Sequence, residues 1–394
     1  MKLLFSVPTG YHLRELLMPL KEHLEADSAI EQVIVMTPGA RYRTEIFALY
    51  PEKFVFIENP AIENIEAHKT LLQEHHPDIV ITDTVGIDFL DYPVLKAAQE
   101  LRLKTLTFIA SWDNVWKINR HMQAGKNVAF ADSFIVWNEM MKEHLLSIVS
   151  PVLGEQVAVI GAPRLDYFWH EDRIPTKQAL YEYLGLTDTS RPLIHFSTTE
   201  LYPMGYLVKA IREGITKGEI PRNPYLYASV HPGGNMDNHK DLKQYDVTVR
   251  YSFGRRDNAP MKEFAYNITP DEQYMLTAVF KHADLLINHS SSTALESLIA
   301  KTPVINVKYG QPLDWWRWYR SSVYSDFKEH YLDIVKYNAT RVVHNNKQLV
   351  SATKELLENP VIDEGARAKT VQRMISTVDG TTGQRVLNRI KQLV

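Results

Sequence analysis

The sequence predicts an α/β protein of two consecutive domains, each an open, mostly parallel sheet wound on both faces by helices. Three observations carry this expectation. Apolar runs of strand length alternate with stretches of helical periodicity through the first half. The alternation restarts after a polar helical stretch that ends near Leu184. The 394 residues amount to between two and three ordinary domains of roughly 150 residues.

In chain order, strands are expected over Lys2–Val7, Gln32–Met36, Lys53–Ile57, Asp78–Thr82, Lys104–Ile109 and Ser133–Val136, each an apolar run closed by polar or turn residues. Between them, Leu13–Leu24 carries apolar residues at 13, 16, 17, 20 and 24, one face of a helix, and Tyr92–Leu101 repeats that spacing. A short strand near Val157 is followed by Gly161-Ala162-Pro163-Arg164 and a polar helical segment. The second series of strands is Pro192–Ser197, Tyr225–Val230, Val247–Tyr251, Asp284–Asn288 and Pro303–Val307. The pattern places an N-terminal domain over residues 1–165, a C-terminal domain over 166–365, and a helical segment over 366–394 that packs back toward the first domain. Sheets of this kind bind ligands beyond the carboxyl ends of their strands, so the loops after strands are where chemistry is sought.

Composition narrows the classes. Hydrophobic residues are 45% and charged residues 23%, which excludes a disordered or fibrous chain. Lys plus Arg is 44 against 47 for Asp plus Glu, a formal charge of −3, so no global basic excess draws nucleic acid and any anion site is local. With no cysteine, acid–base work falls to histidines and carboxylates, and thiolate metal sites are excluded. Lys2, His12, Arg14 and Glu15 break up a signal-peptide core, and no run approaches about 18 apolar residues, so a cytoplasmic protein is expected. Trp315, Trp316 and Trp318, set among Arg317 and Arg320, form a cluster suited to peripheral contact with the inner face of the membrane; the favoured reading is a partly buried aromatic patch.

Three strand ends carry the candidate chemistry. After the strand ending at Asn288, Ser290, Ser291, Ser292 and Thr293 are consecutive hydroxyl residues leading into a helix, a turn suited to phosphate oxygens, and Glu296 follows one turn inside, placed to accept from vicinal ribose hydroxyls. Thr293 and Glu296 also match a capping box that would only stabilise the helix. His231, in Val230-His231-Pro232-Gly233-Gly234, follows a strand and could donate to a departing phosphate or be a structural histidine. In Ser111-Trp112-Asp113-Asn114, Asp113 is a candidate general base, with Ser111 and Asn114 placed to orient an acceptor hydroxyl; a plain Asp-Asn turn is the alternative. His12, just after the first strand, is the other candidate base, and spacing does not choose between them. No glycine-rich phosphate loop and no helix-borne metal pair is present, so no protein-bound metal or other cofactor is expected.

These blocks, with Phe134-Ile-Val-Trp137-Asn138-Glu139, Val159-Ile-Gly161-Ala162-Pro163-Arg164-Leu165-Asp166, Lys301-Thr-Pro303-Val304-Ile305 and Asp379-Gly380 before Gln384-Arg385, resemble the GT-B glycosyltransferases of bacterial surface-polysaccharide assembly. The relatives in question share a superfamily with CDP-glycerol glycerophosphotransferases, capsule-type Kdo transferases and UDP-N-acetylglucosamine 2-epimerases. The resemblance implies two Rossmann-like domains facing a cleft, the nucleotide donor on the C-terminal one and the acceptor on the N-terminal one. It further implies that Ser290–Thr293 hold donor phosphate, Glu296 takes the ribose, His231 neutralises the leaving phosphate and Arg164 approaches it.

The expected function is therefore transfer of a sugar from a nucleotide sugar to a hydroxyl of a glycan or lipid-linked acceptor, metal-independent and inverting, in cell-envelope polysaccharide biosynthesis. Three rivals stand beside it: a CDP-glycerol-type polyol-phosphate transferase, a non-hydrolysing sugar-nucleotide 2-epimerase, and a non-catalytic binding scaffold.

Overall fold

The computed structural model describes residues 1–38, 40, 47–60, 64–83, 91–149, 152–199, 201–257, 265–311, 314–377 and 379–394. The chain divides into two compact units, the first formed by Met1–Trp169, Arg256–Thr269 and Met374–Val394, the second by His170–Arg255 and Pro270–Arg373. The units thus change at Trp169 and Met374, where the sequence pattern sets 165 and 366, and residues 256–269 return to the first unit without any signal in the periodicity.

The first unit holds a seven-stranded parallel sheet. Its strands are β1 (Lys2–Ser6), β2 (Gln32–Thr37), β3 (Phe54–Glu58), β4 (Ile79–Asp83), β5 (Lys104–Phe108), β6 (Ser133–Val136) and β7 (Val157–Val159), in the spatial order β3-β2-β1-β4-β5-β6-β7. The second unit holds six parallel strands, β8 (Leu193–Ser197), β9 (Tyr225–Val230), β10 (Val247–Tyr251), β11 (Leu285–Asn288), β12 (Val304–Val307) and β13 (Arg341–Val343), in the order β10-β9-β8-β11-β12-β13. All but β13 match the expected strands to within two residues. β13 has only three residues, led by an arginine, too short a run for alternation to register.

Side-chain alternation explains why both faces need cover. Ile194 and Phe196, Leu226 and Ala228, Leu285 and Ile287, Ile305 and Val307 point to one layer, closed by Leu207 and Ile211 of the helix Gly205–Thr216 and by Leu349 and Leu356 of Asn346–Glu358. The intervening His195 faces the other way, stacked on Tyr227 with ring centres 5.1 Å apart and against Phe280 of the helix Pro270–His282. In each sheet the order reverses once, between β1 and β4 and between β8 and β11, which marks the crevice where such folds take ligands.

The helix expected over Leu13–Leu24 forms with one irregularity. It starts at Gly10, widens into a π turn over Leu13–Leu17 and resumes as an α-helix over Met18–Ala26. Pro19 has no N–H to donate and its ring crowds the carbonyl four residues back, and the wider turn absorbs both demands. Gly10 itself is required by space, since a Cβ there would lie 2.0 Å from the Tyr266 carbonyl oxygen.

Several blocks that carry the resemblance hold the first unit together. Asn138 caps the helix Glu139–Ile148 by accepting from the Met141 N–H at 2.8 Å. Gly161 sits at φ +111°, a region closed to side-chain-bearing residues, and allows the turn into Pro163–Trp169. Asp166 accepts from the Gly383 N–H at 2.8 Å, and Arg385 pairs with Asp379 at 2.9 Å, fixing the last helix, Thr382–Leu393.

Candidate functional site

At the carboxyl edge of the second sheet, the hydroxyl turn follows β11 and enters the helix Thr293–Ile299. Asn288, fully buried at the strand end, donates from Nδ2 to Thr293 Oγ1 at 3.1 Å, and Thr293 Oγ1 donates on to Ser291 Oγ at 3.0 Å. Ser291 Oγ also accepts the Thr293 N–H at 3.3 Å. With both lone pairs engaged, the Ser291 hydroxyl is left with its own proton, so this relay ends in a donor. Asn288 is steadied from behind, because Asn306 Nδ2 donates to its Oδ1 at 2.6 Å and reaches the Tyr331 hydroxyl at 2.8 Å. Ser290 differs from its neighbours: its hydroxyl donates to Asp326 Oδ2 at 2.9 Å. The helix is capped at Ser292 without any side-chain cap bond, so the capping box suggested by Thr293 and Glu296 does not form. Glu296 is 3% exposed on the first turn.

One strand over from the switch point, His231 follows β9 and is exposed. Its backbone N–H donates to Thr198 Oγ1, at the end of β8, at 3.2 Å, and its Nδ1 accepts the Gly233 N–H at 3.2 Å. The neutral ring therefore carries its proton on Nε2. Arg255 clamps the loop by donating to the Pro232 and Gly234 carbonyls at 2.9 and 2.8 Å, its guanidinium lying 3.9 Å from the Tyr251 ring centre. Sequence spacing gives no hint of Arg255, which arrives from beyond β10.

Sequence reasoning also passed over His289, which is 1% exposed. Tyr206 donates its hydroxyl to the Tyr309 carbonyl at 2.6 Å, so at 3.0 Å from His289 Nε2 it acts as acceptor and the imidazole proton is on Nε2. Burial pushes this histidine down to about 3. Trp318 covers the ring at 5.5 Å and packs on Tyr202 at 5.1 Å. The cluster is partly buried: Trp318 is 2% exposed and part of the aromatic wall around His289, which removes it from any membrane contact, while Trp316 and Tyr319 of the helix Trp315–Arg320 face outward at 52% and 56%. The Trp315 side chain lies outside the described residues. No described helix is long and apolar enough to cross a membrane.

In the first unit, the turn after β1 lies at the reversal of strand order. His12 is 6% exposed, its Nδ1 2.7 Å from Thr9 Oγ1, and burial pushes it down to about 3. The loop after β5 presents Asp113 at the start of the helix Asn114–Gln123, held by the Ser111 hydroxyl and by Lys117 Nζ at 2.8 Å, its side chain 19% exposed. Lys117 also reaches Asn114 Oδ1 at 3.2 Å. Burial raises the Tyr11 phenol well above its ordinary value, with the Glu15 carboxylate second and Asp113 and Asp83 adding to it, so these carboxylates share one end of the sheet. Arg164 sits in the same unit, 4% exposed, its Nε 2.7 Å from Glu15 Oε2 and its guanidinium 5.4 Å from the Trp137 ring centre. Glu15, which the apolar face of the helix hides, is placed there by the π turn. Among the described residues no group of three His, Asp or Glu side chains is arranged to hold a metal ion.

The fold is GT-B-like, two Rossmann-like parallel-sheet domains in one chain. More particularly, residues 238–392 match the family model of CDP-Glycerol:Poly(glycerophosphate) glycerophosphotransferase. A search of curated protein sequences gives no match. Among solved structures the chain is similar to UDP-GlcNAc 2-epimerase from Neisseria meningitidis bound to UDP-GlcNAc, with a TM-score of 0.68, 13% identity and 100% of both chains covered. It is also similar to a glycosyltransferase from Rickettsia africae, with a TM-score of 0.59, 15% identity and 100% of this chain against 98% of that one. The wall teichoic acid polymerase TagF gives a TM-score of 0.60 at 12% identity, over 100% of this chain and 88% of that one. These likenesses, all at 12–15% identity, share this chain's fold, and two of the families named on the motifs, the 2-epimerases and the CDP-glycerol transferases, are among the matches.

Proposed function

We propose that the chain is a transferase that takes a glycerol phosphate, or a related polyol phosphate, from a CDP-activated donor and passes it to a hydroxyl acceptor. The match of residues 238–392 to the glycerophosphotransferase family carries this reading, because that stretch contains the hydroxyl turn and Glu296. It replaces a sugar, the group expected first, with the polyol phosphate that stood as its rival.

In this reading the donor diphosphate sits against Ser291, Ser292 and Thr293, where the relay from Asn288 ends in a hydroxyl proton. Ser290 serves them by occupying Asp326, whose carboxylate would otherwise repel phosphate. Glu296 takes ribose hydroxyls. His231 offers its Nε2 proton to the departing phosphate, and local donors of this kind offset the developing charge without a metal ion. On the first unit, Asp113 is the base, with Ser111 and Asn114 orienting the acceptor. His12 is the weaker candidate, since a buried imidazole held near 3 takes up a proton poorly at neutral pH. Arg164 supports this end indirectly, by neutralising Glu15. The acceptor oxygen bonds to the β-phosphorus, the bond to CMP breaks, and the acceptor proton passes to Asp113.

The test is incubation with CDP-glycerol and a glycerol-terminated acceptor. Release of CMP is expected. Release of a nucleoside diphosphate from a sugar nucleotide instead would make the transferred group a sugar, with inversion to be read from the product anomer. Proton exchange at C2 of UDP-N-acetylglucosamine without acceptor would make the protein an epimerase, and failure to bind any nucleotide would leave a binding scaffold.

A further inference from the structure

A groove of about 510 Å³ opens in the second unit between Tyr337 and the helix Glu364–Ile375. It is lined by Tyr337, Ala366, Lys369, Thr370, Gln372 and Arg373. Only Asn338, Ala339 and Thr340 separate Tyr337 from the start of β13, so the groove lies toward the amino edge of the sheet. In a parallel sheet that is the edge opposite the hydroxyl turn after β11.

Two of the lining side chains are cations and none is an acid. Lys369 and Arg373 are four residues apart, on one face of the helix, and both are exposed. Arg373 is already oriented, its guanidinium 4.5 Å from the Tyr337 ring centre. The acids closest in sequence are engaged elsewhere, Asp363 with Arg341 at 2.8 Å and Glu364 with Lys301 at 3.9 Å. Between the cations sits Thr370, 1% exposed, whose hydroxyl has no hydrogen-bond partner. A helical threonine ordinarily satisfies its hydroxyl on a carbonyl one turn back, and a buried orphan of this kind needs an explanation.

We propose that this groove is a second binding site, for a phosphodiester. Lys369 and Arg373 meet the single negative charge shared by the two non-bridging oxygens of a phosphodiester, and Thr370, Gln372 and Tyr337 add donors for those oxygens and for the weaker ester oxygens that a carboxylate lacks. The volume argues for an ester with organic arms. A bare phosphate displaces only a few waters of about 30 Å³ each, and 510 Å³ falls in the range of organic-ligand pockets. The Tyr337 ring, with Arg373 4.5 Å and Lys336 5.0 Å from its centre, lines the groove beside these arms. The ligand source is a free phosphodiester or a phospholipid headgroup.

Equilibrium dialysis of the full chain against glycerophosphoglycerol, beside co-sedimentation with phosphatidylglycerol vesicles and with phosphatidylcholine vesicles, tests the proposal. Saturable binding is expected, at least tenfold weaker in Lys369→Ala/Arg373→Ala and about threefold weaker in Thr370→Val. Binding of the soluble diester identifies a free ligand; binding to phosphatidylglycerol vesicles alone identifies a headgroup, and either must depend on the same two cations. CDP affinity, measured in parallel, is expected to be the same in wild type and variants. Absence of saturable binding to both probes, or binding that the double variant leaves unchanged, overturns the proposal.

Discussion

Glu15 and Arg164 show what a single pair of residues does at the strand ends of the first unit. At 1% and 4% exposure neither charge is solvated, and their 2.7 Å contact offsets the cost of burying both. Arg14 reaches Glu15 only at 3.4 Å. Replacing Arg164 by Met should therefore cost roughly 3 kcal/mol in urea unfolding, because a buried carboxylate loses its close partner; a loss under about 1 kcal/mol would mean the pair is dispensable. Asp113→Asn is expected to lower turnover by a factor on the order of 10² or more while CDP affinity stays unchanged, as removal of a general base should. Full activity in that variant would return the role to His12. Glu296→Gln keeps the shape of a 3%-exposed side chain and removes its charge, and should weaken nucleotide binding by about 1–3 kcal/mol in calorimetry if the carboxylate holds ribose. The candidates at these positions were legible because they follow strands whose ends an apolar run marks. Glu15, Arg255 and His289 were not. A π turn shifts the helical register that would place Glu15, Arg255 reaches its loop across β10, and the role of His289 depends on Tyr206 and Trp318, 83 and 29 positions away, a separation no local pattern spans.

Elements were more legible than residues, and the exceptions are physical. Twelve strands announce themselves by apolar runs because a sheet covered on both faces buries nearly every side chain in it. The return of residues 256–269 to the first unit depends on contacts such as the Tyr266 carbonyl against Gly10, which periodicity does not encode. The join between β1 and the helix Tyr92–Glu100 yields a prediction of its own. Ser6 Oγ donates to Asp91 Oδ1 at 2.9 Å, Asp91 is fully buried, and its Oδ2 has no partner. Burial raises this carboxyl well above the ordinary value of 3.8, so the folded chain keeps a proton that the unfolded chain gives up. Stability tied to Asp91 is thus present below about pH 3.8 and is lost as pH rises toward the folded value. Asp91→Asn cannot ionise, and its urea midpoint should lack the decline with rising pH that Asp91 imposes on the wild type. Identical slopes in the two proteins would show that Asp91 ionises freely in the fold.

Across the whole molecule, the buried titratable groups are unequally shared, and the inequality has a sign. The second unit contains His195 and His289, both pushed down to about 3 by burial, and His239 and His282, lowered for the same reason. The first unit contains His12, also near 3, and His68, lowered by burial. For each histidine the unfolded chain binds a proton below about 6.5 that the folded chain refuses, so stability falls as pH drops through that window, by about 1.4 kcal/mol per pH unit for a fully buried ring. Asp91 and Asp166 work in the opposite direction: burial raises both, and acid restores what their ionisation costs. Both belong to the first unit, where they offset His12 and His68, whereas four of the lowered histidines belong to the second unit. Acidification from pH 6.5 to 4.5 should therefore loosen the second unit first. Hydrogen exchange read by mass spectrometry, corrected for the intrinsic pH dependence of exchange, should show β8, β9 and β11 losing protection at a pH where β1, β2 and β4 retain theirs. Equal or earlier loss in the first sheet would mean that the buried histidines of the second unit do not govern its acid stability.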